Sequence, residues 1–457
     1  MAYIYPKIKF SFLIIYYLIS LTIYSQDQID GKIAQMLMVG FVPNTVFEDT
    51  LYYDIQYRNL GGVINFAYNI TSPSQIKNQS NHMQNIAPVP LLIATDQEGG
   101  IVARLDEQNG FAKTYTAFDL GTKYNNEATT RTQSALMAGW MIESGLNTNF
   151  GPVADVNVNP TSPAIGKYGR SFSSDPNTVY LHSKWFADEF KNKNINTALK
   201  HFPGHGSAKS DSHNGFTDIT NTWTDAELIP YKNLIENGYN NFIMTGHLFN
   251  ANLDPDYPAS LSRRIITHLL RDSLNFKGLV ISDEMFMNAI SDNYGFDESI
   301  ELAINAGTDI LLFKKNEYNN ISLVKYVVEL VKRKITEGKI PQSRIDESYE
   351  RIQNLKNSIT SIKNTQSDII PEFLTLSSYP NPFNNSANII FTLKQGSGVK
   401  LKIYDITGQA VYKKYYESLT AGEHRITFNA AGLSSGTYIA VIETPGHFKS
   451  VKLTLIK

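Results

Sequence analysis

Residues 278–313, GLVISDEMFMNAISDNYGFDESIELAINAGTDILLF, hold two apolar runs, GLVISD (278–283) and DILLF (309–313), on either side of a stretch with helical periodicity. Such runs are nearly continuous in apolar side chains, as in strands buried on both faces, rather than alternating. The same unit recurs upstream with MLMVGF (36–41), GGVINF (61–66), PLLIAT (90–95), NFGPVADV (149–156), TALKHF (197–202) and NFIMTG (241–246). Eight such runs between residues 30 and 360 predict an α/β fold, a (β/α)8 TIM-type barrel. No GxGxxG opens a helix after the first run, which speaks against an open dinucleotide-binding sheet. Helical patterns continue through SLVKYVVELVKRKITEG (322–338) and SRIDESYERIQNLKNSI (343–359).

Outside this region the texture changes at both ends. Lys7 and Lys9 precede an apolar run from Phe10 to Tyr24 that closes on Ser25 and Gln26. The run is shorter than the ~20 residues of a spanning helix, and its basic start and small-residue end predict a signal peptide over 1–25. The expected barrel domain covers 26–360, and the polar stretch 361–376 reads as a linker. Residues 377–457 alternate apolar and polar side chains in ANIIFTL (387–393), KLKIYDI (400–406), HRITFNA (424–430) and TYIAVIE (437–443), broken by turn residues. That pattern predicts a small C-terminal antiparallel β-sandwich.

The 457 residues carry 41 Lys and Arg against 43 Asp and Glu, a formal charge of -2, and no Cys. Near-neutral charge gives no basic field for nucleic acid. The lack of Cys removes disulfides, a thiol nucleophile and thiolate metal sites.

A (β/α)8 barrel gathers its chemistry at the C-terminal ends of its strands. There the sequence places Asp96, Glu98 and Arg104 after the third run, Asp155 and Arg170 after the fourth, Lys200 and His201 after the fifth, His247 after the sixth, and Asp283 and Glu284 after the seventh. Singly, Asp96 or Glu98 reads as a helix cap, and the arginines as surface residues. Convergence of five strand ends favours one site. The segment PGHGSAKSDSH (203–213) adds His205 and His213, with Asp211 two residues before His213. A carboxylate-oriented imidazole suits general acid/base work near neutral pH. On residues alone, a metal centre of His201, His205, His213, His247 and Asp283 stays open beside it. Asp283 at the end of a buried strand suits a nucleophile toward an anomeric carbon, while strict alternation would turn Glu284 to the opposite face.

The blocks ATDQEGGIVARL (94–105), GPVADVNVNP (151–160), GRSFSSDP (169–176), ALKHFPGHGSAKSDSH (198–213) and VISDEMFMNAI (280–290) resemble, in order, those of glycoside hydrolase family 3 in its bacterial β-N-acetylglucosaminidase branch. The resemblance implies a retaining enzyme with no cofactor and no metal. Asp283 would be its nucleophile, His213 its acid/base and Asp211 the partner of His213. Asp96, Arg104, Arg170, Lys200 and His201 would bind the carbohydrate substrate, and His205 would shape the loop or a subsite. SDEM stands here where the family usually has SDDL.

The blocks YPNPFNNSANIIFTL (379–393), LKIYDITGQAVY (401–412) and LSSGTYIAVI (433–442) are similar to the C-terminal sorting domain of the type IX secretion system. That implies a secreted or outer-membrane-surface protein whose partners are a carbohydrate and the secretion machinery, with no transmembrane helix in the mature chain. Tyr404, Tyr412, Tyr415, Tyr416 and Tyr438 keep a carbohydrate-binding sandwich in view. The remaining alternatives are a β-glucosidase or glycosyl phosphorylase of the same family, a metal-dependent barrel hydrolase and a non-catalytic glycan-binding protein.

Overall fold

The computed structural model describes residues 28–43, 45–212, 214–366, 374–393, 396–406, 409–444 and 447–457. The signal-peptide reading of 1–25 therefore lies outside the described residues, and so does His213. The chain divides into two compact units, one ending at Ile362 and the other beginning at Lys363.

In the first unit, eight parallel strands close on themselves: β1 (Leu37–Val39), β2 (Gly62–Asn65), β3 (Leu92–Thr95), β4 (Thr148–Asn149), β5 (Asn196–Phe202), β6 (Phe242–Thr245), β7 (Leu279–Glu284) and β8 (Ile310–Phe313). Leu37 of β1 stands opposite Leu311 of β8, and Met38 opposite Gly62 of β2, so the first strand closes the ring. Helices fill each return: α1 (28–35) leads in, followed by α2 (Val46–Tyr57), α3 (Pro73–Ile86), α4 (Glu127–Glu143), α5 (Pro176–Asn192), α6 (Ile229–Glu236), the wide π-type α7 (Arg264–Ser273), α8 (Phe296–Ala306), α9 (Leu323–Thr336) and α10 (Gln342–Gln366).

Local sequence accounts for the helix starts. Asp175 caps α5 by accepting from the Asn177 and Thr178 amides ahead of Pro176, and Asn126 caps α4 through Thr129. Proline in the first turn forfeits a donor that has no partner there anyway. The apolar strand residues Val63, Ile93, Ala94, Ile243, Val280, Ile281 and Phe313 are shielded completely. Each such large side chain contributes about 1.5–3 kcal/mol of transfer free energy.

Strand four is shorter than its apolar run suggested. Only Thr148 and Asn149 pair as strand, with an isolated bridge between Val153 and Lys200 beyond them. Pro152 has no N–H to offer a ladder, so the regular pairing is interrupted there and contact with the next strand resumes where the Ala154 amide donates to the Lys200 carbonyl at 2.8 Å. At the opposite end of the barrel, Asp309 is fully buried against Arg271 (2.5 Å), Arg344 (3.0 Å) and Arg351 (3.0 Å), which ties α7 and α10 to the base of β8. The polar stretch read as linker continues α10 to Gln366, and the next strand starts at Leu374.

The second unit is an antiparallel sandwich of β9 (Leu374–Tyr379), β10 (Ser386–Leu393), β11 (Ser397–Tyr404), β12 (Ala410–Leu419), β13 (Gly422–Asn429), β14 (Gly436–Thr444) and β15 (His447–Leu455). One sheet runs β9-β10-β13 and the other β12-β11-β14-β15. Inward residues alternate along β10 as Ala387, Ile389, Phe391 and Leu393, all buried. Tyr438 belongs to this core at 7% exposure, its hydroxyl donating to the Ser434 carbonyl, so it is no surface aromatic for a sugar. Tyr415 faces solvent.

Candidate active site

A cavity of about 430 Å³ opens at the C-terminal ends of the strands. Its walls bring together Asp96, Glu98, Arg104, Arg170, Lys200, His201, Asp211, Asp283 and Glu284, with Phe66, Phe150 and Tyr168 as apolar surface. A larger hollow of about 500 Å³ lies at the other end of β5 to β7, lined by residues such as Asn194, Asn237, Tyr239 and Asn241. Of these two, the first is the one on which charged side chains from many strands converge.

Two strand irregularities aim neighbouring residues into this cavity. Opposite β6, Leu199 pairs with Ile243 and Phe202 with Thr245, so three steps on β5 meet two on β6. Opposite β8, Ile281 pairs with Ile310 and Glu284 with Leu312 in the same way. An extra residue breaks strand alternation. Lys200 and His201 consequently both line the cavity, as do Asp283 and Glu284, which corrects the expectation that Glu284 would face away. Glu284 is held by its surroundings, because Oε1 accepts from the Phe286 and Lys314 amides at 3.0 Å each. Asp283 is 8% exposed, and its Oδ1 accepts from the Glu284 amide at 2.8 Å.

Five residues form an unbroken chain of opposite charges. Arg104 reaches Asp96 (3.3 Å), Asp96 reaches Lys200 (2.9 Å), Lys200 reaches Glu98 (2.7 Å), and Glu98 receives a two-pronged contact from Arg170 (2.9 and 2.8 Å). DQEGG is not a helix cap. Gln97–Gly99 pairs antiparallel with Val102–Ala103 in a small ribbon, which turns Asp96 and Glu98 toward Lys200. Burial pushes Asp96 up, but Lys200 and Arg104 more than reverse that, leaving its carboxyl below the ordinary range. Burial likewise opposes ionisation of Glu98, and Arg170 with Lys200 holds it far below. Lys200 is raised in turn, its burial outweighed by Asp96 and Glu98. Asp96, Glu98, Lys200 and Arg170 thus stay charged at neutral pH, fixed before any ligand arrives.

Beneath this chain, the buried carboxylate of Asp155 accepts from the His201 amide (2.9 Å), the His201 ring Nδ1 (2.7 Å) and the His205 amide (2.8 Å). His205 itself is buried, its Nε2 3.3 Å from the Ser212 hydroxyl, and burial with the adjoining His201 ring pushes its pKa down to about 4. Asp211 sits at the cavity rim. His247 is occupied elsewhere, with Nδ1 2.6 Å from the Ser260 hydroxyl and Nε2 3.0 Å from the Glu284 carbonyl. Among the described residues, no three His, Asp or Glu side chains come together as metal ligands.

Residues 28–355, which carry this whole arrangement, match the Glycosyl hydrolase family 3 N terminal domain. The chain belongs to glycosyl hydrolase family 3. Residues 377–457 match a Secretion system C-terminal sorting domain, and among the described residues no helix is long and apolar enough to cross a membrane. Among relatives in this family, Beta-hexosaminidase A of Pseudoalteromonas piscicida is 33% identical over 329 residues, covering 66% of this chain and 54% of that protein. The chain thus spans about half of that relative's length. The Beta-hexosaminidase of Tolumonas auensis is 34% identical over 275 residues, covering 59% of this chain and 80% of that one. In structure, the Beta-N-acetylhexosaminidase from Beutenbergia cavernae has a TM-score of 0.66 at 28% identity, covering 72% of this chain and 98% of that one. A glycoside hydrolase family 3 beta-N-acetylglucosaminidase from a Paenibacillus species gives the same TM-score and identity over 78% of this chain and 70% of that one.

The sequence reading placed Glu98 and Asp155 at strand ends but gave neither a role in the site. Glu98 shares a motif with Asp96, and its position two residues further on was the available signal. Asp155 ends the GPVAD run, but nothing in the sequence said that it would collect amides from the next strand.

Proposed function

We propose that this family 3 protein is an exported retaining glycoside hydrolase that removes terminal β-linked N-acetylglucosamine. The observation that carries the reading is Asp283, at the end of β7, in one cavity with the chain of charges from Arg104 to Arg170 and with Asp211 at its rim. The hexosaminidase and N-acetylglucosaminidase names of its relatives support the sugar.

In the first step Asp283 attacks the anomeric carbon while His213, protonated and oriented by Asp211, gives its proton to the departing oxygen. In the second, His213 takes a proton from water as that water displaces Asp283. Asp96, Arg104, Arg170, Lys200 and His201 hold the sugar. Pairing with one another, with Glu98 and, for His201, with Asp155 fixes them in advance, so little ordering is left to binding. A leader over residues 1–25 and passage through the type IX machinery by the sorting domain would carry the enzyme outside the cell, free or at the surface.

The test is the turnover of aryl N-acetylglucosaminide and aryl glucoside by purified protein, wild type and Asp283→Ala. Wild type should strongly prefer the acetamido sugar, and the variant should lose on the order of 10,000-fold in kcat. Full activity in Asp283→Ala would remove the nucleophile assignment.

A further inference from the structure

The segment after β5 carries Asp211 to the cavity rim, and buried groups on two sides fix its root. From one side, Asp155 takes the His205 amide. The Gly206 carbonyl accepts from the Asn159 amide at 3.0 Å, and a Cβ on Gly206 would fall 1.6 Å from the Val156 carbonyl oxygen. From the other side comes Glu227, on the turn Asp225–Leu228 that leads into α6. Its Oε2 accepts from the Gly206 amide at 3.0 Å. Gly204, at φ 127°, lies so close that a Cβ there would stand 2.6 Å from the Glu227 Cβ. Trp223, four residues before Glu227, adds a bond from its Nε1 to the Pro203 carbonyl at 3.0 Å.

Glu227 has no exposed surface and is not part of the cavity wall. Burial, with repulsion from Asp155, raises its pKa to about 7, and the buried Tyr231 hydroxyl is the other titratable group facing it. An acid serving only the start of a helix would sit at the surface, where its charge is solvated. This one lies inside, against the loop.

We propose that Glu227 is a positioning residue for the acid/base loop: by holding the Gly206 amide from the α6 side, it sets the root from which Asp211 and His213 reach the leaving-group oxygen. The proposal rests on the glycosidase reading above.

Leaving-group dependence separates positioning from general support. An aryl group departs without a proton, whereas an alkyl or sugar oxygen needs one, and kcat/KM reports that glycosylation step. The full chain would be assayed as Glu227→Ala, Glu227→Asp and Glu227→Gln on nitrophenyl N-acetylglucosaminide and on N,N'-diacetylchitobiose, with melting temperatures alongside. Glu227→Ala should lose about 100-fold on the disaccharide and under about fivefold on the aryl substrate. Glu227→Asp should show the same selectivity at about tenfold, and it decides the matter if the alanine variant does not fold. Glu227→Gln keeps an acceptor for the Gly206 amide and should stay within about fivefold of wild type on both. Equal losses on the two substrates, or no loss, would overturn the proposal. Wild type inactive on both would instead sink the glycosidase reading.

Discussion

Glu98 receives Arg170 through two parallel hydrogen bonds, Nε to Oε2 at 2.9 Å and Nη2 to Oε1 at 2.8 Å, while its Oε1 also lies 2.7 Å from Lys200. Both side chains are nearly shut off from water. Removing one member of such a set strands charge, at a cost of about 3–5 kcal/mol. Glu98→Ala should therefore lower the melting temperature and, by releasing Lys200 and Arg170, reduce kcat/KM at least about tenfold, or 1.4 kcal/mol. Thermal unfolding and kinetics on the same preparation check both.

The two acids ending β7 should differ sharply. Both amides that Glu284 accepts from can be served equally by an amide oxygen, so Glu284→Gln should keep activity within about tenfold of wild type. Asp283→Asn should not. Comparable losses in the two variants would mean that the nucleophile has been misassigned.

In the cavity wall, Asp96 and Glu98 are paired with Arg104, Lys200 and Arg170, and Asp283 and Glu284 accept from backbone amides. Prolonged EDTA treatment followed by assay should leave kcat/KM unchanged, and a loss restored by a divalent ion would move the mechanism to another class.

Glu227 and His205 give opposite pH trends. Glu227 titrates at about 7 in the fold against an ordinary 4.5, so between these values the native state keeps a proton that the unfolded chain has released, and stability falls as pH rises. His205, at about 4 against 6.5, is neutral in the fold where the unfolded chain is protonated, so its share of stability is lost as pH falls through that window. Glu227→Gln removes the first trend and keeps the second. Its melting temperature relative to wild type should be higher at about pH 7.5 than at about pH 5 by thermal unfolding, and a difference that is flat or reversed would contradict the assignment.

All eight barrel strands were legible because an apolar run between two helical patterns has few other uses in a soluble chain. NFGPVADV was overread: its apolar content suits a continuous strand, and only the missing donor at Pro152 shows where the regular ladder is interrupted. Strand ends gave the candidates Asp96, Lys200, His201 and Asp283, since the fold itself points there. Glu284 was misdirected because alternation assumes an even ladder, and the extra residue opposite β8 depends on a partner strand that no local pattern reveals. Glu227, and the part that Asp155 plays, were hidden for a related reason. Their importance lies in whose amides they accept, and TDAELIP reads simply as the start of a helix.

The segment PGHGSAKSDSH is consequently not a portable cassette. Two carboxylates fix its root, one from the end of the fourth run and one from the foot of α6, and a carbonyl of Val156 leaves no space for a side chain at Gly206. Transplanted into another barrel, PGHGSAKSDSH would bring its histidines but not the geometry that makes them useful. A graft would have to carry Asp155 and Glu227 as well, although those two stand 72 positions apart in the chain.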